Sequence, residues 1–192
     1  MKKLLLALPL LALVPLGVQA QGTVMASNFT QDFSVEKKIS DAVSGLPIGG
    51  TFQAQLFAGA AGTAEGSLTA VDSPAGFFDL PLDTFGNYYG EFFGGEVTIS
   101  GVAAGANASI QIRVWPVAYG SWSAAYAAAL NDSNIHVGKS AVFQNVTGHS
   151  GDYIEIANNP ALLVFTVGVV PEPSTVALGA LGLGLLLLRR RK

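Results

Sequence analysis

The chain of 192 residues contains no cysteine and little charge. Without cysteine, disulfides, thiolate metal sites and cysteine nucleophiles are excluded. Asp, Glu, Lys and Arg together make up only 12% of the residues. A chain without disulfides must be stabilised by its hydrophobic core. The part between its two ends, roughly 150 residues, is long enough for one such core and too short for two.

Positive charge is scarce in the middle of the chain. Of ten Lys and Arg residues, four lie between positions 21 and 170: Lys37, Lys38, Arg113 and Lys139. Twelve of the thirteen acidic residues lie in the same range, so four cations against twelve acids leave it a net charge of −8. A domain this acidic repels the phosphates of nucleic acids and of anionic lipids, and we expect no nucleic-acid partner.

The first twenty residues have the pattern of a secretory signal peptide. Lys2 and Lys3 form a positively charged start, and an apolar run follows over residues 4–18. Val and Ala stand at the third and first positions before a cut between Ala20 and Gln21. We therefore expect export by the Sec translocon and cleavage at that bond. The alternative is an uncleaved membrane anchor.

The C-terminal end has the pattern of a stop-transfer segment. Residues 176–188 are Val, Ala, Leu and Gly, and four cations follow: Arg189, Arg190, Arg191 and Lys192. Such cations are retained in the cytoplasm. Counted from residue 174, the run predicts a single transmembrane helix about 22 Å long, against about 30 Å of hydrocarbon core. Such a helix is a marginal anchor, which suits a segment that is later removed.

Directly before this run stands the tripeptide Pro171-Glu172-Pro173. Motif, apolar run and terminal cations, in this order, resemble the PEP-CTERM sorting signal. The resemblance implies a bacterium with an exosortase, a membrane enzyme that cuts near the motif and releases or transfers the domain outward. The two prolines also hold Glu172 in an extended backbone that fits an enzyme cleft. The alternative for the motif is a plain linker before a helix.

Between the ends, the sequence predicts an all-β fold. Polar and apolar residues alternate over residues 51–57 and, most clearly, 107–115. In the second segment we expect even-numbered residues such as Ile112 to face the core and odd-numbered ones such as Gln111 to face solvent. Weaker strand candidates, separated by turn residues, are 23–29, 66–71, 96–102, 139–146, 152–156 and 162–168. This spacing predicts an antiparallel β-sandwich, jelly-roll-like in its arrangement.

One segment departs from the strand pattern. Residues 121–130 are rich in Ala and predict one short helix, with Ser121 or Ser123 as its N-cap. The organisation we predict is therefore a signal peptide over residues 1–20, a β-sandwich domain over 21–168 and a sorting and anchor tail over 169–192.

Part of the middle also carries a family likeness. Residues 50–59 and 110–115, the latter followed by a Tyr-Ala segment and by residues 138–143, look like a group of exported PEP-CTERM proteins abundant in verrucomicrobia. The likeness implies a shared sandwich of unknown function and names no catalytic residue.

The segment Gly148-His149-Ser150-Gly151-Asp152 places three triad residue types side by side. Its glycine spacing does not fit a nucleophile elbow, and catalytic triads are assembled from distant segments. We interpret this segment as a polar turn and expect no enzyme activity.

Residues 77–96 hold seven aromatic and four acidic side chains. Aromatic rings with carboxylates can bind a sugar, and carboxylates alone can bind Ca²⁺, although the acid spacing does not match an EF-hand. The residues that we single out as candidate ligand contacts are Phe85, Tyr88, Tyr89, Asp83 and Glu91. The simpler interpretation is a long hairpin whose aromatic rings fill the edge of the sandwich. No metal site and no cofactor are expected.

These patterns predict a non-enzymatic protein of the cell surface or extracellular matrix. It would pass through a transient anchored state in the inner membrane before an exosortase processes it. The alternative is a secreted carbohydrate-binding module that uses residues 77–96, with extracellular polysaccharide as its partner.

Overall fold

The computed structural model describes residues 21–78 and 88–170. Within these residues the chain forms ten strands and one short helix, which confirms the all-β prediction. The elements are β1 (Gln21–Ser27), β2 (Ser40–Asp41), β3 (Phe52–Ala60), β4 (Thr69–Ala70), β5 (Ala75–Gly76), β6 (Phe93–Ala103), β7 (Asn107–Pro116), α1 (Trp122–Ala129), β8 (Gly138–Lys139), β9 (Phe143–Val146) and β10 (Thr166–Val167). Two 3₁₀ turns lie at Glu65–Ser67 and Ile156–Asn158.

The largest sheet is built around the antiparallel pair β3 and β7. Their register runs from Phe52 opposite Pro116 to Ala60 opposite Ala108. Strands β4 and β5 pair with the other edge of β3, and β8 and β9 pair with the other edge of β7. Separately, β1 pairs with β6 in antiparallel fashion. The two-residue strands β2 and β10 run parallel to each other, so the pairing is not antiparallel throughout.

One hydrophobic core joins the two main sheets. The β1–β6 pair contributes Val24 and Ile99, and the larger sheet contributes Leu56, Ile110 and Ile112, all at most 1% exposed. Burial of these side chains supplies the stabilisation that disulfides cannot supply here. The core therefore lies between the two sheets, while the jelly-roll-like sandwich stays a prediction.

The expectation that the odd-numbered residues of β7 face solvent is wrong for most of the strand. Ser109, Gln111 and Trp115 are at most 1% exposed. The side chain of Gln111 donates to the carbonyl oxygen of Ser140 over 2.9 Å and accepts from Nε of Arg113 over 2.8 Å. A central strand is covered on both faces, and its buried polar side chains are retained because they are hydrogen-bonded. Alternation therefore does not separate core from surface in β7.

The second face of β7 is covered partly by α1. Trp115 packs with Ala125 and Ala129 of the helix and with Val137, and its indole N–H donates to the carbonyl oxygen of Tyr119 over 2.8 Å. The helix begins as predicted, because the Ser121 hydroxyl accepts from the N–H of Ala124 over 3.3 Å and caps the first turn.

Three of the weaker strand predictions are only partly right. The segment 139–146 forms two strands, because the Ser140 hydroxyl between them accepts the Ile112 N–H over 3.0 Å in place of a strand partner. The segment 66–71 starts inside the 3₁₀ turn Glu65–Ser67 and contains only the two-residue strand β4. The segment 162–168 forms only β10, beside β2. Strands β2 and β5, of two residues each, carry too little periodicity to be predicted.

The strand predicted over residues 152–156 is wrong. This segment lies along β1, where the Met25 N–H donates to the carbonyl oxygen of Ile154 over 2.7 Å, but it forms a single bridge and then a 3₁₀ turn. Tyr153 has a left-handed backbone with φ of 49°, which interrupts the extended conformation that a strand needs.

The expected signal peptide, including Ala20, and the expected transmembrane helix lie outside the described residues. Gln21, on the other side of the expected cut, is exposed and begins β1. Among residues 21–78 and 88–170, no helix is both long and apolar enough to cross a membrane.

Because β7 is buried on both faces, placing a charged side chain on either face should destabilise the protein. In a fragment of residues 21–170, Ile112→Asp and Gln111→Asp should each lower the free energy of unfolding by roughly 2 kcal/mol or more. Ile112→Asp buries a carboxylate without a partner. Gln111→Asp keeps Arg113 nearby but loses the amide that donates to the buried Ser140 carbonyl oxygen, which a carboxylate cannot do. Ser100→Asp, at an exposed position of β6, is the control and should cost less than about 0.5 kcal/mol. Urea unfolding measures all three. A Gln111→Asp variant as stable as the control would contradict the two-face burial.

Asp72, in the loop between β4 and β5, has a carboxyl group that is partly buried. Its Oδ1 is buried and receives no hydrogen bond from the described part of the chain. Burial raises the pKa of Asp72 to about 6, because the charged form is desolvated. The native state therefore binds this proton more tightly than the unfolded state, and stability falls as pH rises from about 4 to about 6.

Replacing this carboxyl by a neutral amide should remove that pH dependence. Asp72→Asn should be more stable than the parent by about 1 kcal/mol at pH 7.5, a figure reduced for partial solvent exposure. At pH 3.5 the two proteins should be nearly equal, because the parent carboxyl is then neutral. Thermal unfolding at both pH values checks this. A difference of the same size at both values would show that charge burial is not its cause.

Candidate functional site

The folded chain leads directly up to the sorting motif. The backbones of Val137 and Gly168 exchange two hydrogen bonds of 3.0 Å. Two residues later, Val170 packs against the cluster that Trp115 forms with α1. The motif residues Pro171, Glu172 and Pro173 come next and lie outside the described residues, as do the cations Arg189, Arg190, Arg191 and Lys192. Val170, the last described residue, is therefore in contact with the domain one position before Pro171.

The aromatic and acidic segment 77–96 is described only in part. Phe85 and Asp83 lie outside the described residues. Tyr88 and Tyr89 are half-buried, whereas Glu91 is fully buried. A carboxylate oxygen of Glu91 lies 3.2 Å from Nζ of Lys38. Burial raises the pKa of Glu91, and the ammonium group of Lys38 acts in the opposite direction. Glu91 is thus placed in an internal ion pair, and the sugar contact predicted for these residues stays a prediction.

Asn28 holds the described end of this segment in place. Its Nδ2 donates to the carbonyl oxygens of Gly90 and Lys37 over 2.7 and 2.9 Å, and its Oδ1 accepts from the N–H of Phe92 over 2.9 Å. The side chain is 1% exposed, so it satisfies these backbone groups from inside the fold. No local pattern indicates this role, because Asn near the end of a strand is typical of a turn.

Gly90 makes this close approach feasible. Its φ is 82°, and a Cβ atom at this position would lie 2.7 Å from the carbonyl oxygen of Ile39. Any other residue would therefore be both strained and in steric conflict with the backbone of residue 39.

The aromatic side chains of the segment join others from the loop after β1. This aromatic cluster consists of Phe29, Phe33, Phe78, Tyr88 and Phe93, with neighbouring ring centroids 5.1 to 6.2 Å apart. Phe29 is buried at its centre, whereas Phe33 and Phe93 are 44% and 50% exposed. Ring packing of this kind supports the simpler interpretation for Phe78 and Tyr88, and it leaves two rings at the surface.

The polar segment 148–152 forms a turn, as expected. The backbone N–H of His149 donates to a carboxylate oxygen of Asp152 over 2.6 Å. The Ser150 hydroxyl donates to Glu96 over 3.3 Å rather than to His149, so this serine has no base aligned with it in the turn. Within the described ranges, no group of three or more His, Asp and Glu side chains is arranged to hold a metal ion.

Comparison with known families adds evidence for the C-terminal end. A family model described as the PEP-CTERM protein-sorting motif matches residues 169–192. The chain carries a PEP-CTERM sorting motif. This makes it an exported protein that an exosortase sorts to the cell surface or the extracellular space. No curated protein and no solved structure matches the chain.

The role of Asn28 predicts an unusual order of stabilities. Asn28→Ala should lower the free energy of unfolding by about 2–3 kcal/mol, because it leaves buried backbone groups unpaired. Asn28→Asp should cost more at pH 7, because its carboxylate would face two carbonyl oxygens. Asn107→Ala, at an exposed position, is the control and should cost roughly 0.5 kcal/mol or less. Chemical denaturation checks the order. If Asn28→Asp equals the parent, the proposed hydrogen bonds are wrong.

Proposed function

We propose that the protein is a non-enzymatic component of the cell surface or extracellular matrix, delivered by the Sec translocon and released or transferred outward by an exosortase. The observation that carries this proposal is the sorting motif at residues 169–192. It is supported by the pattern of residues 1–20, which fits a cleaved signal peptide.

The tail suits a temporary anchor in the inner membrane. Four terminal cations orient it with its end in the cytoplasm, and an apolar run of about fifteen residues is shorter than the hydrocarbon core requires. So short a helix would cross the membrane only if the bilayer thins or the Arg side chains snorkel, and this costs free energy that a longer anchor does not lose. The net charge of −8 upstream keeps the domain soluble and away from anionic headgroups once it is released.

The geometry at the domain end bears on how an exosortase reaches its substrate. Val170 packs against the domain, and the prolines at 171 and 173 cannot donate backbone hydrogen bonds to a helix or sheet. From sequence alone, the two prolines favour an extended backbone at Glu172. In this proposal the enzyme recognises that acid between two rigid residues, with the domain on one side and the membrane on the other.

The finer statements about the domain belong to the same proposal. A core shared by two sheets supports a jelly-roll-like sandwich. The kinship with verrucomicrobial PEP-CTERM proteins rests on sequence likeness in β3, β7 and the segment after α1. The alternative of a carbohydrate-binding module centred on residues 77–96 gains no support from Tyr88 or Glu91, because the first packs in the aromatic cluster and the second is buried.

The proposal separates the role of the motif from that of the cations. Glu172→Ala should leave membrane insertion intact and block processing, so that a full-length, membrane-bound form accumulates. Replacing residues 189–192 by Gln should weaken membrane retention instead. Glu65→Ala, an exposed acid of the domain, is the control and should be processed normally. Blots of membrane and extracellular fractions measure each outcome.

Cells that lack the exosortase should behave like the Glu172→Ala strain and unlike the cation variant. If they still release the shortened extracellular form, other proteases trim an ordinary anchor and the proposed function fails.

A further inference from the structure

An open cleft lies where the loop after β1 meets the segment leading into the second 3₁₀ turn. It consists of two adjoining cavities of about 270 and 400 Å³, which share Gln31, Tyr153 and Glu155 as lining residues. The smaller cavity is lined mainly by Phe29, Phe33, Phe93 and Tyr153. The larger one is lined mainly by Asp32, Ser34, Glu155 and Asn158. The cleft thus has an aromatic half and a polar half.

Exposed aromatic rings are concentrated at this cleft. Four aromatic side chains of the described residues are exposed, and three of them line it: Phe33 at 44%, Phe93 at 50% and Tyr153 at 58%. The fourth, Tyr126, lies on α1. Rings left in water cost hydrophobic free energy, so three of them on one concave surface indicate a partner that covers them.

Two of these rings are held on strained backbone. Phe33 and Tyr153 have φ of 56° and 49°, and among the described residues they are the two that are not glycine and have positive φ. An aromatic residue is disfavoured in this region, and strain of this kind is concentrated at ligand sites. Phe33 also stacks on Phe29, with ring centroids 5.1 Å apart and planes 5° apart. The Phe33 ring is therefore presented to solvent in an orientation that this stacking fixes.

The polar half holds its acceptors in place. The Glu155 carboxylate accepts from the backbone N–H of Gln31 over 2.6 Å and from Nδ2 of Asn158 over 2.9 Å. Asp32 accepts from the hydroxyls of Thr30 and Ser34, each over 2.7 Å, and these hydrogen bonds lower the pKa of Asp32 to about 2. Both acids are held as acceptors, and the described lining includes no lysine or arginine. Anionic ligands are therefore repelled.

We propose that this cleft binds a neutral oligosaccharide, with pyranose rings stacked on Phe33 and Tyr153 and their hydroxyl groups donating to Asp32 and Glu155. A pyranose with equatorial hydroxyls has apolar C–H faces and a polar edge, which matches an aromatic wall beside fixed acceptors. A purely apolar peptide would leave the carboxylates unmatched. This inference does not rest on the proposed sorting function.

Calorimetry of the full chain, in a zwitterionic detergent without a sugar headgroup, tests the proposal. The probes are cellopentaose and chitopentaose, with pentagalacturonate as the anionic probe and tetralysine as the cationic one. We expect at least one neutral probe to bind with a Kd below about 1 mM. Tyr153→Gly should weaken that binding by about tenfold or more, while Tyr153→Phe retains it.

The glycine variant also separates binding from folding. Glycine adopts a left-handed φ without strain, so Tyr153→Gly should unfold at the same temperature as the parent or higher. Tyr126→Ala, which removes the exposed ring outside the cleft, is the matched control and should bind like the parent. The proposal is overturned if neither neutral probe binds at about 10 mM. It is equally overturned if Tyr153→Gly binds as well as the parent, or if a charged probe binds more tightly than both neutral ones.

Discussion

The structure depends on one strand, β7, being buried on both faces. One face contributes Ile110 and Ile112 to the core between the sheets, and the other places Gln111 and Trp115 under a second layer. A strand in this position needs a packed layer on each of its faces. A chain of this length without disulfides has to build both layers from its own segments. The β1–β6 pair is one layer. The second is built from α1 and the segment around Ser140.

The second layer also connects the fold to sorting. The cluster of Trp115 with α1 and Val137 extends to Val170, the residue before Pro171. The same packing that closes one face of β7 therefore holds the chain up to the residue before Pro171. A change that loosens α1 is expected to act on the presentation of Pro171-Glu172-Pro173 as well as on stability.

Features that are determined by neighbouring residues in the sequence could be predicted. The strands β3 and β7 follow from two alternating segments, and α1 follows from its Ala content and Ser121 cap. The sorting motif could be recognised from sequence because the tripeptide, the apolar run and the terminal cations follow one another in fixed order. These signals need no knowledge of distant contacts.

Features that depend on distant contacts were not predicted. Gln111 looks exposed by alternation and is buried because the Ser140 segment, 29 residues away, covers it. Asn28 looks like a turn residue and instead binds Gly90, 62 residues away. The cleft brings Phe33 and Tyr153 together from opposite ends of the domain, and the left-handed backbone at both positions leaves no compositional trace. A local sequence pattern does not show which distant segment packs over a residue. It also does not show where a residue other than glycine adopts a strained backbone.

The intact mass of the protein recovered from the extracellular fraction of exosortase-containing cells shows whether the sorting signal is removed. We expect a chain that begins at Gln21 and ends near Pro171-Glu172-Pro173, without the apolar run and the four terminal cations. A recovered protein that retains Arg189 to Lys192 would contradict this expectation, because a sorting signal that is never removed is an anchor.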